Sequence, residues 1–377
     1  MINEALPLRY GLFLMPVHLG DKPLAQCYDE DLELVVRAEE LGFHEFWVGE
    51  HHTSSIENIV MPEIFIAKAL GLTRSIRLGV APVCLPYHHP FHVASRLAFL
   101  DHLSHGRLNV CFGPGAIPTD MEVYGIDAAR SATMVAEAID MVLQIWTRDP
   151  PLELSGQFWN IRLRDRIDGE MGVGVAHKPL QRPHPPIASP AIRRDSPGLP
   201  AAAARGFRPF SHHMVSTETL ANHWQTFSAG AMEAGRVPQV ADWIVGRNVF
   251  VAETTDEARR GARGNSLGAC LQYILELSRR GPGLGMWRRN GQMSDAECHL
   301  DYMLDEVVIA GDPAEVARRI IALREHLGPF GTLVLVAHDW DDQESWLRSL
   351  ELFAHEVMPA VERHSKTDRG DKIRGFG

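Results

Sequence analysis

A repeated pairing of one short apolar segment with one amphipathic helix is the feature that most constrains the fold. Four such pairs fill the first 147 residues, and their apolar segments lie at 9–16, 45–50, 76–86 and 106–115. Apolar and polar residues do not alternate within these segments, which indicates strands of a parallel sheet covered by helices on both faces. Four strand–helix units are close to half of a (β/α)8 barrel.

The second half of the chain continues this rhythm with two interruptions. Further strand-like segments lie at 185–189, 207–213, 242–253 and 331–340, which brings the number of predicted strands to eight. Residues 150–186 and about 255–305 are long insertions between them. Because neither a sequence repeat nor a linker divides the chain, we predict a single α/β domain over residues 1–377, a TIM-type (β/α)8 barrel with a loose charged tail at about 365–377.

One helix, over residues 311–328, carries a complete start signal. Asp312 stands at the N-cap position, Pro313 follows in the first turn, and Glu315 comes three residues after the cap. A side-chain oxygen at the N-cap accepts a hydrogen bond from the free backbone N–H groups of the first turn. The sequence therefore predicts that this helix begins at Asp312.

Charge and cysteine usage exclude several classes of protein. The net charge of −11 and the lack of a lysine cluster argue against a partner nucleic acid. No run approaches the roughly 20 apolar residues that cross a membrane, and the first residues do not resemble a signal peptide. The five cysteines are an odd number without CxxC spacing, which argues for reduced thiols and against disulfides or a structural zinc. We expect a cytoplasmic protein without a membrane partner.

Polar residues gather where the predicted strands end, which is the face that carries function in a parallel barrel. They include His18 after the first strand, Glu50-His51-His52 after the second, His88-His89 after the third and His338 after the last. A zinc site has little support, because the first strand offers a single histidine and adjacent side chains in extended chain point apart. The GxSxG motif of a serine hydrolase and the GxGxxG motif of a Rossmann fold are also missing. We therefore predict no metal ligand.

A phosphate site is predicted after the fifth strand. Ser189 lies in that strand, and Arg193 and Ser196 precede a helix that starts with a Pro-Gly step. Helix N-termini bind phosphate through free N–H groups and the helix dipole. The same residues are equally consistent with Ser196 simply capping the helix.

Three segments of the first half together resemble the bacterial-luciferase-like flavin monooxygenases. They are "WVGEHHTSS" after strand two, "LGVAPVCLPYHHP" at strand three and "LDHLSHGRLNVCFGPGAIPTDMEVYGID" at strand four. Within that family they are most similar to the limonene 1,2-monooxygenase branch. The C-terminal "FGTLVLVAHDW" and "SLELFAHEVMPA" are similar to the diketocamphane monooxygenases.

This resemblance implies a TIM-type barrel that binds reduced FMN (FMNH2) supplied by a separate NAD(P)H:flavin reductase. It also implies that the flavin reacts with O2 to form a C4a-(hydro)peroxide, which oxidises a small hydrophobic substrate. Epoxidation, hydroxylation and Baeyer–Villiger insertion all remain open, because such a species supports each of them. A homodimer is expected from the family, with the helices after strands two and three as the contact.

The resemblance also implies roles for the residues after strand two and within strand three. His51 corresponds to the active-site histidine of the family and would act as acid or base, Glu50 would lie beneath the flavin ring, and His52 would point aside. The Ala81-Pro82 bond corresponds to a non-prolyl cis peptide that some relatives have behind the ring. Because proline makes the cis form less costly, we expect this bond to be cis.

After strand four, the resemblance assigns Gly113, Gly115 and Asp120 to the flavin site. Gly113 stands where bacterial luciferase has a reactive cysteine, and a glycine there would leave room beside the flavin. Cys111, two residues earlier, is expected to pack in the core. Asp120 is expected to orient a loop.

Substrate choice is expected to lie in the second insertion and at the strand ends. The segment "RRGPGLGMWRRNGQM" (279–293) has the glycines of a mobile lid, with Met286 and Trp287 to cover an apolar ligand. A disordered surface loop is an equally good interpretation of this segment. We assign to the same substrate side three histidines of the strand ends: His18, His89 and His338.

Three other functions remain open. A deazaflavin (F420)-dependent oxidoreductase shares the fold but transfers hydride without oxygen. A non-catalytic flavin-binding homologue would need no acid–base residue at the flavin, and His51 counts against it. A metal-dependent barrel hydrolase is the third alternative.

Overall fold

Eleven strands and twelve α-helices follow one another along the chain in a computed structural model that describes residues 7–15, 17–20 and 22–365. The strands are β1 Arg9–Leu14, β2 Glu45–Val48, β3 Arg77–Cys84, β4 Leu108–Gly113, β5 Leu152–Ser155, β6 Asn160–Leu163, β7 Ile187–Ala191, β8 Arg208–Ser211, β9 Ile244–Val251, β10 Val308–Gly311 and β11 Thr332–Ala337. The helices are α1 Leu24–Glu40, α2 Pro62–Leu70, α3 Pro90–Leu103, α4 Pro118–Val123, α5 Ser131–Thr147, α6 Gly198–Arg205, α7 Thr217–Glu233, α8 Thr255–Gly264, α9 Ser266–Arg280, α10 Leu300–Val307, α11 Pro313–Leu327 and α12 Gln343–Leu352.

The order of the strands is that of a closed parallel barrel. The large sheet runs β10–β9–β11–β1–β2–β3–β4–β7–β8, and β8 also pairs with β9. Eight of these strands correspond to the eight segments expected from the sequence, and β10 is an additional strand on β9. The predicted α/β class and TIM-type (β/α)8 fold are therefore confirmed.

Residues 47–190 form one compact unit of the chain. Within it, β3 pairs in parallel with β4, with a shift of register between Val80 and Val83, and β4 pairs with β7. The first predicted insertion, 150–186, contains the antiparallel hairpin of β5 and β6. The Ala81-Pro82 bond, at the register shift, is cis, as expected. Cys111 is fully buried in β4, which agrees with its predicted packing role.

The described residues within 1–46 and 191–377 form the second compact unit. Here β1 pairs with β11, while β9 pairs with β11 through its first half and with β10 through its second half. The second predicted insertion, 255–305, holds α8, α9 and most of α10 rather than an irregular excursion. The sequence signal for α8 is a capping box, in which Thr254 and Glu257 bind each other's backbone N–H.

Several expectations concern features outside these elements. The single-domain organisation stays a prediction, and the predicted tail after Ser365 lies outside the described residues. No helix in the described part of the chain is long and apolar enough to cross a membrane. All five cysteines are unpaired and buried.

The start signal of the helix at 311–328 is confirmed, and it allows a stability prediction. The Asp312 carboxylate accepts hydrogen bonds from Glu315 N at 3.0 Å and from the Thr255 hydroxyl at 2.7 Å. Removing an N-cap of this kind costs about 1 kcal/mol. We therefore expect Asp312→Ala to lower the free energy of unfolding by about 1–2 kcal/mol in urea denaturation.

The matched control is Glu325→Ala, which removes an exposed carboxylate from the last turn of the same helix. Its ion pair with His364 is a surface pair at 3.6 Å, so we expect a change of no more than about 0.5 kcal/mol. Equal losses in the two variants would show that the Asp312 cap does not stabilise α11.

Candidate active site

A buried carboxylate stands at the end of β2 and collects hydrogen-bond donors from three directions. Oε1 of Glu50 lies 2.8 Å from Nε2 of His52 and 2.7 Å from Nε2 of His88, and Oε2 accepts from Cys84 N at 2.9 Å. Burial opposes ionisation of Glu50, but these donors outweigh it and lower its pKa to about 2. Because an ionised carboxylate only accepts, both Nε2 atoms carry a hydrogen.

Two tyrosines extend this network. The Tyr124 hydroxyl lies 3.1 Å from Nδ1 of His52, and the Tyr87 ring stacks on the Tyr124 ring with centroids 5.0 Å apart. The His52 ring stands edge-on to both. The ligand atoms of Glu50, His52 and His88 lie within 4.8 Å of one another, a set that could also bind a metal ion, but here they are hydrogen-bonded to each other.

His51 faces a different pair of acids. Its Nε2 lies 3.1 Å from the Glu57 carboxylate, and its Nδ1 lies 3.6 Å from Oδ2 of Asp120, an ion-pair distance rather than a hydrogen bond. Burial lowers the pKa of His51, but Asp120 and Glu57 outweigh this effect, so that the pKa is raised overall. His51 and His52 thus diverge, as expected for adjacent side chains, and His51 is the one held between carboxylates.

Asp120 fixes the loop that carries both histidines. Its carboxylate accepts from His52 N at 3.2 Å, from Thr53 N at 2.7 Å and from the Thr53 hydroxyl at 2.5 Å. Burial raises the pKa of Asp120, but these bonds and His51 lower it to about 2. The expected loop-orienting role of Asp120 therefore corresponds to its contacts with the loop after β2.

Gly113, the last residue of β4, and Gly115, two residues later, leave room for neighbouring side chains. A Cβ on Gly113 would lie 2.8 Å from the Pro82 ring, and a Cβ on Gly115 would collide with the Tyr87 hydroxyl. The space beside Gly113 is therefore occupied by Pro82, and the expectation that this glycine leaves open room needs correction. Ala81 is buried in β3 next to Pro82.

The other predicted residues lie at several places in the fold. His89 is exposed and caps α3 by accepting from Phe91 N, so the histidine that reaches Glu50 is its neighbour His88. Ser189 is half-buried in β7. The Ser196 hydroxyl donates to the Arg193 carbonyl at 2.9 Å and does not cap α6. The alternative in which Ser196 is a helix cap is therefore wrong, while the Arg193 side chain is exposed.

The predicted substrate residues in the second unit are mostly buried. His18 lies 3.3 Å from Asp31, and His338 lies 3.1 Å from Oδ1 of Asn248. In the predicted lid segment, Met286 is half-buried, whereas Trp287 is only 5 % exposed and donates from Nε1 to Ser278. Trp287 is thus anchored to the end of α9, which does not fit a disordered surface loop.

The family model described as "Luciferase-like monooxygenase" matches residues 8–329. The chain belongs to this family. Limonene 1,2-monooxygenase of Rhodococcus erythropolis is 32% identical, over 97% of this chain and 89% of its own. The 4-hydroxyprotoasukamycin monooxygenase of Streptomyces nodosus subsp. asukaensis is 34% identical, over 93% and 92%. These findings confirm the predicted family and branch.

A solved relative connects this luciferase-like monooxygenase to a flavin. The oxygenating constituent of 3,6-diketocamphane monooxygenase from Pseudomonas putida, in complex with FMN, has a TM-score of 0.85 and 29% identity, and the match covers 94% of this chain and 99% of that one. With its family membership, this makes the chain an enzyme, a flavin-dependent monooxygenase.

Two buried polar atoms show that the site of this luciferase-like monooxygenase suits a flavin. In the described part of residues 47–190, Nδ1 of His51 and the hydroxyl of Tyr87 are buried without a hydrogen-bond partner. Buried polar atoms are rarely left unpaired, and such exceptions often mark ligand sites. A flavin ring has nitrogen and oxygen atoms along its edge that suit both an imidazole and a phenol.

Sequence reasoning gave no role to Glu57, His88, Tyr87 or Tyr124. A local signal existed only for His88, in the segment "YHHP". Proline is common in the first turn of a helix, so His89, which precedes Pro90, is assigned to the cap position. His88 is then free to turn inward. Glu57 has no such signal, because its approach to His51 depends on the path of the loop between them.

The depressed pKa of Glu50 makes stability depend on pH in a defined direction. Its pKa of about 2 lies below the ordinary 4.5, so its contribution is complete above about pH 5 and is lost as the pH falls toward 2. We expect Glu50→Gln to lower the free energy of unfolding at pH 7 by roughly 2–4 kcal/mol, and by less at pH 3. Denaturant titrations at the two pH values measure this. Glu170→Gln, at an exposed site of the same unit, is the control, and a loss for Glu50→Gln that does not change with pH would contradict the assignment.

Proposed function

We propose that this enzyme is the oxygenase component of a two-component system and uses reduced FMN (FMNH2) and O2 to oxidise a small hydrophobic molecule. The observation that carries this proposal is the geometry of His51, a half-buried imidazole between Glu57 and Asp120 whose Nδ1 makes no hydrogen bond with the described residues. The FMN complex of the similar oxygenating constituent from Pseudomonas putida supports the choice of cofactor.

Reduced FMN, when bound, would supply the electrons that activate O2, so that one oxygen atom enters the substrate and the other leaves as water. The protein would hold the ring and exclude water from it. We assign ring contacts to Glu50 through its two histidines, to Ala81, Pro82, Gly113 and Gly115 through the backbone they shape, and to Tyr87 through its unpaired hydroxyl. Asp120 keeps the His51 loop in place for this purpose.

His51 is proposed as the catalytic acid. Nε2 forms an ion pair with Glu57 at 3.1 Å, so a protonated ring would carry its second hydrogen on Nδ1, which lies 3.6 Å from Asp120 and makes no hydrogen bond with the described residues. Because the pKa of His51 is raised, the ring stays protonated to a higher pH than an ordinary histidine. Nδ1–H is then available to donate a proton near neutral pH, and the ring can take it back as a base later in the cycle.

The phosphate of FMN is proposed to bind through Ser189, Arg193 and Ser196. Arg193 supports this, since its side chain is exposed and its carbonyl accepts from Ser196 and lies 2.8 Å from Nε2 of His223. Arg193→Ala should then weaken binding of FMN more than binding of riboflavin, which lacks the phosphate. Equal weakening of both ligands in a fluorescence titration would exclude the phosphate role.

Two partners are proposed. A separate NAD(P)H:flavin reductase would supply FMNH2, in keeping with the relative that is the oxygenating constituent of a larger system.

A homodimer would form through α2 and α3, where Ile64 is 69% exposed and Phe99 65% exposed. Sedimentation velocity on the chain measures this, and a monomer would exclude it. A cytoplasmic location stays a prediction from the cysteines.

The test of the proposed function is anaerobic titration of the purified protein with photoreduced FMN, followed by rapid mixing with aerated buffer. We expect tight binding of reduced FMN and a transient absorbing species that differs from both reduced and oxidised flavin. Products from cyclic alkenes and ketones then separate epoxidation, hydroxylation and Baeyer–Villiger insertion. Binding of F420 but not of reduced FMN would overturn the oxygenase proposal and leave the fold intact.

The pH profile of turnover tests the place of His51. Glu57→Gln removes the negative charge at Nε2, so the pKa of His51 should fall and the corresponding limb of the kcat/KM profile should move to lower pH by about one unit. A limb that falls with rising pH identifies His51 as the acid, and a limb that rises identifies it as the base. The control is Glu122→Gln, which changes an exposed carboxylate of α4. A limb that stays in place in Glu57→Gln would exclude His51 as its source.

A further inference from the structure

Among the buried side-chain atoms that lack a hydrogen-bond partner in the described part of the second unit, residues 1–46 and 191–377, two belong to neutral side chains of the barrel interior. They are Nε2 of His213, whose residue is 2% exposed, and Nδ2 of Asn248, whose residue is fully buried. A buried donor or acceptor without a partner costs roughly 1–3 kcal/mol. Neither atom has a role in the flavin chemistry proposed above, so their missing partner points to a different ligand group.

The two side chains lie on one face of β9. A Cβ on Gly246 would lie 2.9 Å from the backbone N of His213 and 3.0 Å from its Cβ, so His213 packs directly on this glycine. Alternate residues of a strand share a face and are about 7 Å apart, which places Asn248 on the face that Gly246 presents to His213. One small polar group of a ligand could therefore contact both side chains.

The hydrogen bonds of Asn248 define whether the missing ligand group is a donor or an acceptor. Its Oδ1 lies 3.1 Å from Nε2 of His338. An amide oxygen only accepts, so His338 donates this bond and the amide nitrogen of Asn248 is left as an unused donor. The missing partner of Asn248 is thus an acceptor, such as a carbonyl, ether or hydroxyl oxygen.

The surrounding histidines are uncharged at neutral pH. Burial lowers the pKa of His338 to about 3 and that of His212 to about 4, and it holds the pKa of His213 well below its ordinary value. The buried guanidinium of Arg247 donates to the carbonyls of Val215 and Gly246, so its bonds are taken by the protein. The site therefore presents neutral hydrogen-bonding groups to a ligand, with His213 as a donor when its Nε2 carries the hydrogen.

Aromatic rings surround His213. The Phe13 ring lies 6.0 Å from the His213 ring and 6.1 Å from Phe210, and His212 stacks on His213 at 4.2 Å. Trp287 lies 5.7 Å from His212. Phe13 is half-buried in a strand whose neighbouring positions are buried, which leaves part of its ring available for contact. These rings suit the hydrocarbon part of a ligand.

We propose that His213 and Asn248 bind one oxygen atom of an uncharged, otherwise apolar substrate, whose hydrocarbon part packs on Phe13, Phe210 and Trp287. This inference rests on the proposed oxygenase function and narrows its substrate class to oxygen-bearing molecules such as ketones, ethers and alcohols. A pure hydrocarbon would leave both polar atoms unpaired and should bind less well than an oxygenated compound of the same shape.

The test compares a bicyclic ketone with the analogue in which a methylene group replaces the carbonyl oxygen. Dissociation constants are measured by equilibrium binding to the protein loaded with oxidised FMN. We expect the ketone to bind about 3- to 30-fold more tightly. Asn248→Leu should weaken ketone binding by about 3- to 10-fold and change binding of the methylene analogue by less than about 2-fold.

Two further variants keep the test decisive. His213→Phe removes Nε2 and keeps an aromatic ring, and it should reduce the preference for the ketone in the same way even if Asn248→Leu fails to fold. Asn160→Leu, at an exposed position of β6, is the matched control and should change neither constant. Equal binding of ketone and methylene analogue to the unmodified enzyme would overturn the inference.

Two further measurements test the charge of the ligand and distinguish failure of this inference from failure of the proposed function. A carboxylate of the same ring system is included because the charge of Arg247 is felt at His213. Tighter binding of the carboxylate than of the ketone would overturn the uncharged class. If reduced FMN binds and O2 is consumed without any preference for the ketone, this inference fails alone. If reduced FMN does not bind, the proposed function fails.

Discussion

The ionised carboxylate of Glu50 is the constraint on which the candidate active site depends. A charge buried to this degree persists only where donors surround it, and these donors come from the loop after β2, the end of β3 and the segment before α3. Satisfying Glu50 turns His52 inward, and the extended chain then turns the adjacent His51 the opposite way, toward Glu57 and Asp120. The position of the proposed acid thus follows from the needs of a carboxylate one residue before it.

Much of the fold could be predicted from the sequence because its signals are local. Eight unalternated apolar segments predicted eight barrel strands, and Asp312 with Glu315 marked the start of α11. Val308–Gly311 escaped notice because β10 follows α10 without a turn between them, so that one apolar run serves two elements. The helix α8 had its own signal at Thr254 and Glu257, but it was assigned to an irregular insertion.

The site was predicted less completely because its contacts depend on the folded path of the loops and join residues that no sequence motif links. Adjacent histidines after a strand suggested chemistry at His51, and the family resemblance named Asp120. Glu57 could not be found in this way: the Ser54 hydroxyl accepts from the backbone N–H of Ile56 and Glu57 and turns the loop back on itself. The folded path of that loop, and not a motif, brings the second carboxylate to His51.

The histidines of this enzyme differ in charge because of what accompanies their burial. Burial is the main cause that lowers the pKa of His212, His213 and His338, because desolvation disfavours a cation. Desolvation also lowers the pKa of the half-buried His51, yet two carboxylates at its ring nitrogens reverse the effect. One residue type can therefore serve as a proton donor in one unit of the chain and as a neutral hydrogen-bonding group in the other. This division matches what an oxygenase of uncharged substrates would need. An imidazolium beside such a substrate would have to be desolvated without a counter-charge. A neutral imidazole and an amide can bind a single oxygen atom without that cost.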